Sequence, residues 1–203
     1  MDDMARPRLH TDDLRDKLLD EAVRVVGEGG LSALSVRDVA HAAGTSTTAV
    51  YSLLGNKEGL TRGVLIRAFE SFASAQEAAA DDGDAAAGLV DLGTAYVGWA
   101  LENPRLYELM FGEARSGMTP SEETRAAAAR AIGPLRSGVS QAITAGVFRV
   151  ADVDTVVASL WAQVHGLALL LLSGHFPAGA DPVAAATAVI DGWRAAEHQP
   201  RVR

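Results

Sequence analysis

Between Val36 and Gly55 the chain reads VRDVAHAAGTSTTAVYSLLG, and its polar side chains are spaced to share a surface. A short helix opened by Ser46 would turn Thr47, Thr48, Tyr51 and Ser52 outward and Val50 inward, because residues three and four apart stack on one helical face. Hydroxyls there can donate to phosphate oxygens or pair with base edges, and a threonine methyl can meet a thymine methyl. The Tyr51 phenol is placed to donate to a phosphate. Arg37, at the start of the preceding helix, can reach backbone or base edge. Lys57 falls in the first turn of the next helix, where a cation opposes the helix dipole; a phosphate at that helix end would remove the conflict. Arg62 and the N-terminal Arg6 and Arg8 are further phosphate candidates. These residue types in this order point to contact with double-stranded DNA through Arg37, Ser46, Thr47, Thr48, Tyr51, Ser52 and Lys57.

Such a surface needs two short helices crossing steeply over a tight turn. Close approach requires a small residue inside the first helix, and Ala40 supplies it. The turn requires a residue that tolerates positive φ, and Gly44 supplies it. Val50 anchors the second helix, with Val39, Ala43 and Leu53 in the other inward positions. Ser35 with Asp38 forms a capping box for the first helix. Ser46 caps the second, over Thr47–Leu53, and Gly55 ends it. Ahead of the pair, Leu14, Leu18, Ala22 and Val25 stripe a helix from about Thr11 to Val26, with Gly27, Gly29 and Gly30 beyond it.

Strand signals are weak throughout, so the sequence predicts an all-α protein of about nine helices. Asn56 caps a long fourth helix that runs past Phe69 to about Ala79. The polar break Asp81-Asp82-Gly83-Asp84 marks its far end. These features divide the chain into a DNA-binding domain (1–55), a connecting helix (56–80) and a helical domain (81–203). In the last, residues 85–102 read as a helix ended by Asn103-Pro104, and Leu106–Phe111 as a short segment. The stretch 112–121 is loop-like. A helix from Ser121 to about Ala145 should kink or split at Gly133-Pro134. Asp152 opens an apolar helix ending at Gly174. Asp181-Pro182 opens a last one reaching about Ala196.

Composition bounds the partners. The net charge is −8 over 203 residues. Residues 1–70 hold 9 basic and 11 acidic side chains, so DNA contact must come from local placement and not from a basic domain. No cysteine is present. No nucleophile elbow, metal-spaced histidine pair or phosphate-binding glycine loop occurs, so neither an enzyme nor a metal or cofactor site is expected. The N-terminus lacks an apolar run. The stretch Val156–Leu172 is interrupted by Ser159, Gln163 and His165 and falls short of a membrane span, so a soluble, cytoplasmic protein without membrane contact is expected. Val156, Leu160, Val164 and Leu167 stripe one C-terminal helix, and Val183, Val189 and Ile190 mark the other. Two such helices per chain can pair about a two-fold axis into a four-helix interface.

From Leu14 to Leu65 the chain resembles the DNA-binding domain of TetR-family transcriptional regulators. The matching pieces are an opening helix ending in Gly29-Gly30, then LSALSVRDVAHAAGTSTTAVYSLLGNKEGL. Tyr51, Leu54 and Lys57-Glu58 stand where the family carries a tyrosine, an aromatic and a lysine–acid pair. Leu53 and Leu54 depart from the common His or Tyr and Phe, and Leu53 removes a frequent DNA contact. NPRLYELMF (103–111) and WAQVHGLALLL (161–171) resemble the family branch whose ligand-binding domain has a Trp-His-Gly signature. The resemblance implies an all-helical homodimer that represses a nearby gene or operon. A small molecule, often apolar or aromatic, would bind the C-terminal domain and release the DNA operator. Tyr96, Trp99, Tyr107, Phe111, Trp161 and His165 are the candidate ligand contacts. His165 can equally be a core histidine bonded to a carbonyl, with Trp161 packed beside it. The fourth helix is the expected lever, its tilt changing with ligand. A helical small-molecule binder without DNA affinity is the second reading, motivated by the acidic balance and by Leu53.

Overall fold

A computed structural model describes residues 6–80, 85–112 and 119–196, with side chains from Thr11 onward. Arg6 and Arg8, the break at 81–84 and most of the 112–121 loop therefore lie outside the described residues or side chains. The described residues form nine α-helices: α1 (Arg6–Gly29), α2 (Val36–Ala42), α3 (Thr47–Leu54), α4 (Lys57–Ala79), α5 (Ala85–Glu102), α6 (Pro104–Phe111), α7 (Glu122–Thr144), α8 (Val153–Leu172) and α9 (Pro182–Trp193). A 3-10 turn over Leu31–Ala33 follows α1. Among the described residues there is no strand, only an isolated antiparallel bridge between Phe148 and Arg194.

Local chemistry sets most boundaries. The Ser35 hydroxyl accepts from the Asp38 amide at 3.4 Å, and Ser46 from the Ala49 amide at 3.2 Å. The Asn56 amide oxygen accepts from the Gly59 N–H at 2.8 Å. Asp152 receives both the amide and the hydroxyl of Thr155 at 2.8 Å, which holds its carboxyl below the usual range. Asp181 takes the Val183 amide at 2.9 Å, with Pro182 in the first turn. Each side chain satisfies an N–H that the first turn of a helix leaves without an intrahelical acceptor.

Four expectations are corrected. Helix α1 begins at Arg6, a turn and more before the anticipated cap at Thr11 or Asp12, and runs through Gly27 to Gly29. Its buried stripe is Leu18, Leu19, Ala22 and Val26, with Leu14 and Val25 half-buried. Helix α7 continues through Pro134 without splitting. Helix α8 has 20 residues, so it reaches the length and apolarity of a membrane span. Helix α9 stops at Trp193, where the backbone turns to the bridge: the Arg149 amide donates to the Trp193 carbonyl at 3.0 Å, and the Ala195 amide to the Val147 carbonyl at 2.9 Å.

The chain forms two compact units. The first comprises Met1–Ser71 and Asn103–Ala128. Here α1 packs against α2, α3 and α6, and α2 against α3. Its buried residues include Leu18, Val26, Val39, Val50, Leu60, Val64, Tyr107 and Met110. The second comprises Phe72–Glu102 and Ala129–Arg203, in which α5 packs against α8 and α9, and α8 against α9. Its core is Leu89, Leu92, Val139, Ala142, Phe148, Val156, Val157, Leu160 and Ile190. Thus α4 and α7 each contribute residues to both units.

Gly44 joins α2 to α3 with φ +70°, a left-handed conformation that costs any residue with a Cβ about 1–2 kcal/mol. Gly44→Ala should therefore lower stability by about 1 kcal/mol, read as an earlier urea midpoint with an unchanged slope.

Candidate nucleic-acid interface and apolar cavity

The α2–α3 pair presents the anticipated surface. Val39, Ala40, Ala43 and Val50 are at most 3% exposed and form the seam. Leu53 and Leu54 are half-buried beside it. The opposite face of α3 is turned away from that seam. Ser46, Thr47, Thr48 and Ser52 are exposed, and Tyr51 is 52% exposed, an unusual position for a tyrosine with no described role inside the fold. Arg37 is exposed in the first turn of α2. Lys57 is exposed as the first residue of α4, and its carbonyl accepts from the Thr61 hydroxyl at 2.9 Å. Next to it, Glu58 pairs with Arg62 at 3.0 Å and complements the dipole. The sequence-predicted contacts thus fall on α2, α3 and the start of α4, exposed and uncommitted to the core. This is the arrangement that lays α3 into a major groove with α2 across the backbone.

The second unit contains a different kind of site. A cavity of about 30 Å³ is lined by Leu89, Val90, Leu92, Leu135, Leu160, Val164 and Ile190, with Gln76, Tyr96 and Gln163 as its polar members. Gln163 donates its amide to the Ala185 carbonyl at 2.6 Å. The Tyr96 hydroxyl lies 3.0 Å from His165 Nδ1. Phe72 meets the rings of Tyr96 and Trp99 edge-on, with centroids 4.9 and 5.2 Å apart.

Two family models match these two regions. The one for the tetR family of bacterial regulatory proteins covers residues 18–71, and the one for the tetracyclin repressor-like C-terminal domain covers 89–192. The chain belongs to the TetR family. It is similar to the HTH-type transcriptional regulator Mb1846 of Mycobacterium bovis, 26% identical over 140 residues, which is 67% of this chain and 60% of the relative. The chain therefore spans less than two thirds of that regulator's length. The HTH-type transcriptional repressor ComR of Escherichia coli is 39% identical over 64 residues, covering 32% of this chain and 30% of that one. Among solved structures, a protein of unknown function from Rhodococcus sp. RHA1 superposes with TM-score 0.77 at 26% identity, covering 88% of this chain and 92% of that one.

The six candidate ligand contacts of this TetR-family chain fall in different places. Tyr96 lines the cavity and Trp99 is buried beside Phe72. His165 is not one of the lining residues; its Nδ1 lies 3.0 Å from the hydroxyl of Tyr96, which is. Trp161 is 39% exposed, so it is not a core residue. Tyr107 and Phe111 belong to the first unit, where their ring centroids are 5.0 Å apart and Phe69 meets Phe111 edge-on at 6.0 Å. Sequence reasoning did not single out Gln76 or Gln163 as lining residues. A signal for Gln76 existed: it continues the stripe Phe69, Phe72, Ala73 at helical spacing, a polar residue where an apolar one is due.

Burial pushes the His165 imidazole below its ordinary range. The folded state therefore resists protonation at this site more than the unfolded chain does. That contribution to stability is intact above the ordinary value of about 6.5 and is lost as pH falls below it. Melting temperature should fall on acidification from pH 7.5 to 5.5, and His165→Gln should flatten that part of the profile.

Proposed function

We propose that this TetR-family chain is a dimeric, DNA-binding transcriptional regulator that represses a nearby gene or operon and is released from its operator by a small molecule bound in the second unit. The observation that carries the DNA part is the polar, exposed outer face of α3, bearing Tyr51 above a fully packed α2–α3 seam. Repression is supported by the likeness to ComR, which is named a repressor. Release is supported by the apolar cavity in the unit matched by the tetracyclin repressor-like model. Two protomers place two copies of α3 at half-sites one DNA turn apart, which compensates for the lack of net positive charge.

The effector works by population shift: it must prefer the conformation whose α3 helices are misplaced for DNA. Helix α4 is the route, because its first turn carries Lys57 and its later turns carry Gln76 in the cavity wall. A change in its tilt is the proposed coupling. Function of this kind is cytoplasmic and needs neither cofactor nor metal. Selection of bound sequences from random DNA, followed by footprinting at neighbouring promoters, tests the reading. A salt-sensitive, palindromic site is expected. Tight binding of small molecules with no DNA affinity at low salt would instead favour a helical carrier.

A further inference from the structure

Gln76 is 4% exposed, and its Nε2 is fully shielded from solvent with no hydrogen-bond partner among the described residues. Orphaned buried donors are rare because each forfeits its hydration without replacement. The residue that carries this one lines the cavity formed by α4, α5, α7, α8 and α9. The other polar lining groups are engaged, Gln163 with the Ala185 carbonyl and Tyr96 with His165. The rest of the lining is aliphatic, and no Asp, Glu, Lys or Arg is part of it. An ionised ligand would be desolvated with no countercharge to meet it.

Resting on the effector reading above, we propose that the cavity takes a neutral, largely apolar small molecule with one carbonyl-type acceptor, and that Gln76 Nε2 donates to that oxygen. The lining aliphatics take its hydrocarbon body. At about 30 Å³ the cavity holds roughly two waters. A larger molecule must therefore part the surrounding helices, α4 included. That requirement gives the ligand the unequal affinity for two conformations that release from DNA demands.

The test uses the full chain and three ketones: cyclohexanone, 2-heptanone and acetophenone. Each is compared with the hydrocarbon in which C=CH₂ replaces C=O, and heptanoate and benzoate serve as charged controls. Binding is measured by calorimetry and by thermal shift. At least one ketone should bind ten-fold or more tighter than its hydrocarbon, and the carboxylates should bind more weakly still. Gln76→Leu should erase the ketone preference while keeping hydrocarbon binding. The infrared carbonyl stretch of bound acetophenone should lie below its value in hexane for the unmodified chain, and return in the variant. That readout on the unmodified chain stands even if Gln76→Leu fails to fold. Equal binding of ketone and hydrocarbon, an unshifted stretch, preferred carboxylates or no binding by any ketone at millimolar concentration would each overturn the proposal. DNA binding by the same preparation is measured in parallel, so loss of the ligand assignment with a salt-sensitive DNA site intact leaves the regulator reading standing.

Discussion

Lys57→Ala is expected to reduce the salt dependence of operator binding by nearly two units of log K per unit of log salt. Each phosphate neutralised contributes a slope of about 0.9, and a dimer carries the lysine twice. If the affinities of variant and parent converge near 1 M salt, the same slopes make the variant about 60-fold weaker at 0.1 M. Tyr51→Phe should behave differently. It removes a neutral donor to a charged oxygen, an interaction of about 1.5–3 kcal/mol, so affinity should drop at least about tenfold with the slope unchanged. Both residues are exposed and neither fills the α2–α3 seam, so melting curves should stay within about 0.5 kcal/mol of the parent. Fluorescence anisotropy on a selected site, titrated from 50 to 400 mM salt, reads both quantities. Superimposable salt slopes for Lys57→Ala would remove the phosphate role assigned to the start of α4.

The same contrast explains what was legible in the sequence. Around α2 and α3 several requirements coincide within twenty residues: caps at Ser35 and Ser46, a left-handed glycine at 44, small residues in the seam and hydroxyls outside it. Each fixes a different coordinate, so boundaries and facing followed together. Helix α1 offered competing start signals. Thr11 and Asp12 are good caps locally, but Pro7 suits the first turn of a helix, and α1 begins at Arg6. Pro134 removes a donor without ending α7, because a long helix flanked by packing tolerates one missing bond. In the second unit the difficulty was rotational. Helix α8 is apolar nearly all round, so periodicity gave its existence but not which side faces inward. Val156, Leu160 and Leu167, read as a pairing stripe, are buried within the unit; so is Ile190 of α9. The cavity was harder still, since its decisive group is a single glutamine whose missing partner only three-dimensional packing reveals.

The largest effect on DNA binding should come from the side of α8 and α9 that remains uncovered. Trp161, Leu169 and Leu170 are 39%, 47% and 41% exposed on α8, and Val183 is 48% exposed on α9. Trp161 and Leu169 lie eight residues apart, with His165 between them at helical spacing, so they form one stripe. Large apolar side chains on adjacent helices mark an association surface, and in the proposed dimer a second copy would cover both helices through a two-fold axis. The length of α8 alone would suit a membrane, but its opposite side is committed to α5 and α9, as a lipid-spanning helix's need not be. Leu169→Glu with Leu170→Glu would place two carboxylates in the exposed apolar part of α8 that the proposed dimer would bury. Neither residue belongs to the buried core, so the protomer should keep its helix content. Sedimentation should then report a monomer where the parent, on the proposed reading, sediments as a dimer. Affinity for the full palindrome should fall at least about 100-fold, because the second half-site is no longer reached intramolecularly. A half-site, weak to begin with, should bind parent and variant alike. If the doubly substituted chain still sediments as a dimer, the partner surface lies elsewhere on the protein, and the two copies of α3 must be brought to DNA by another face.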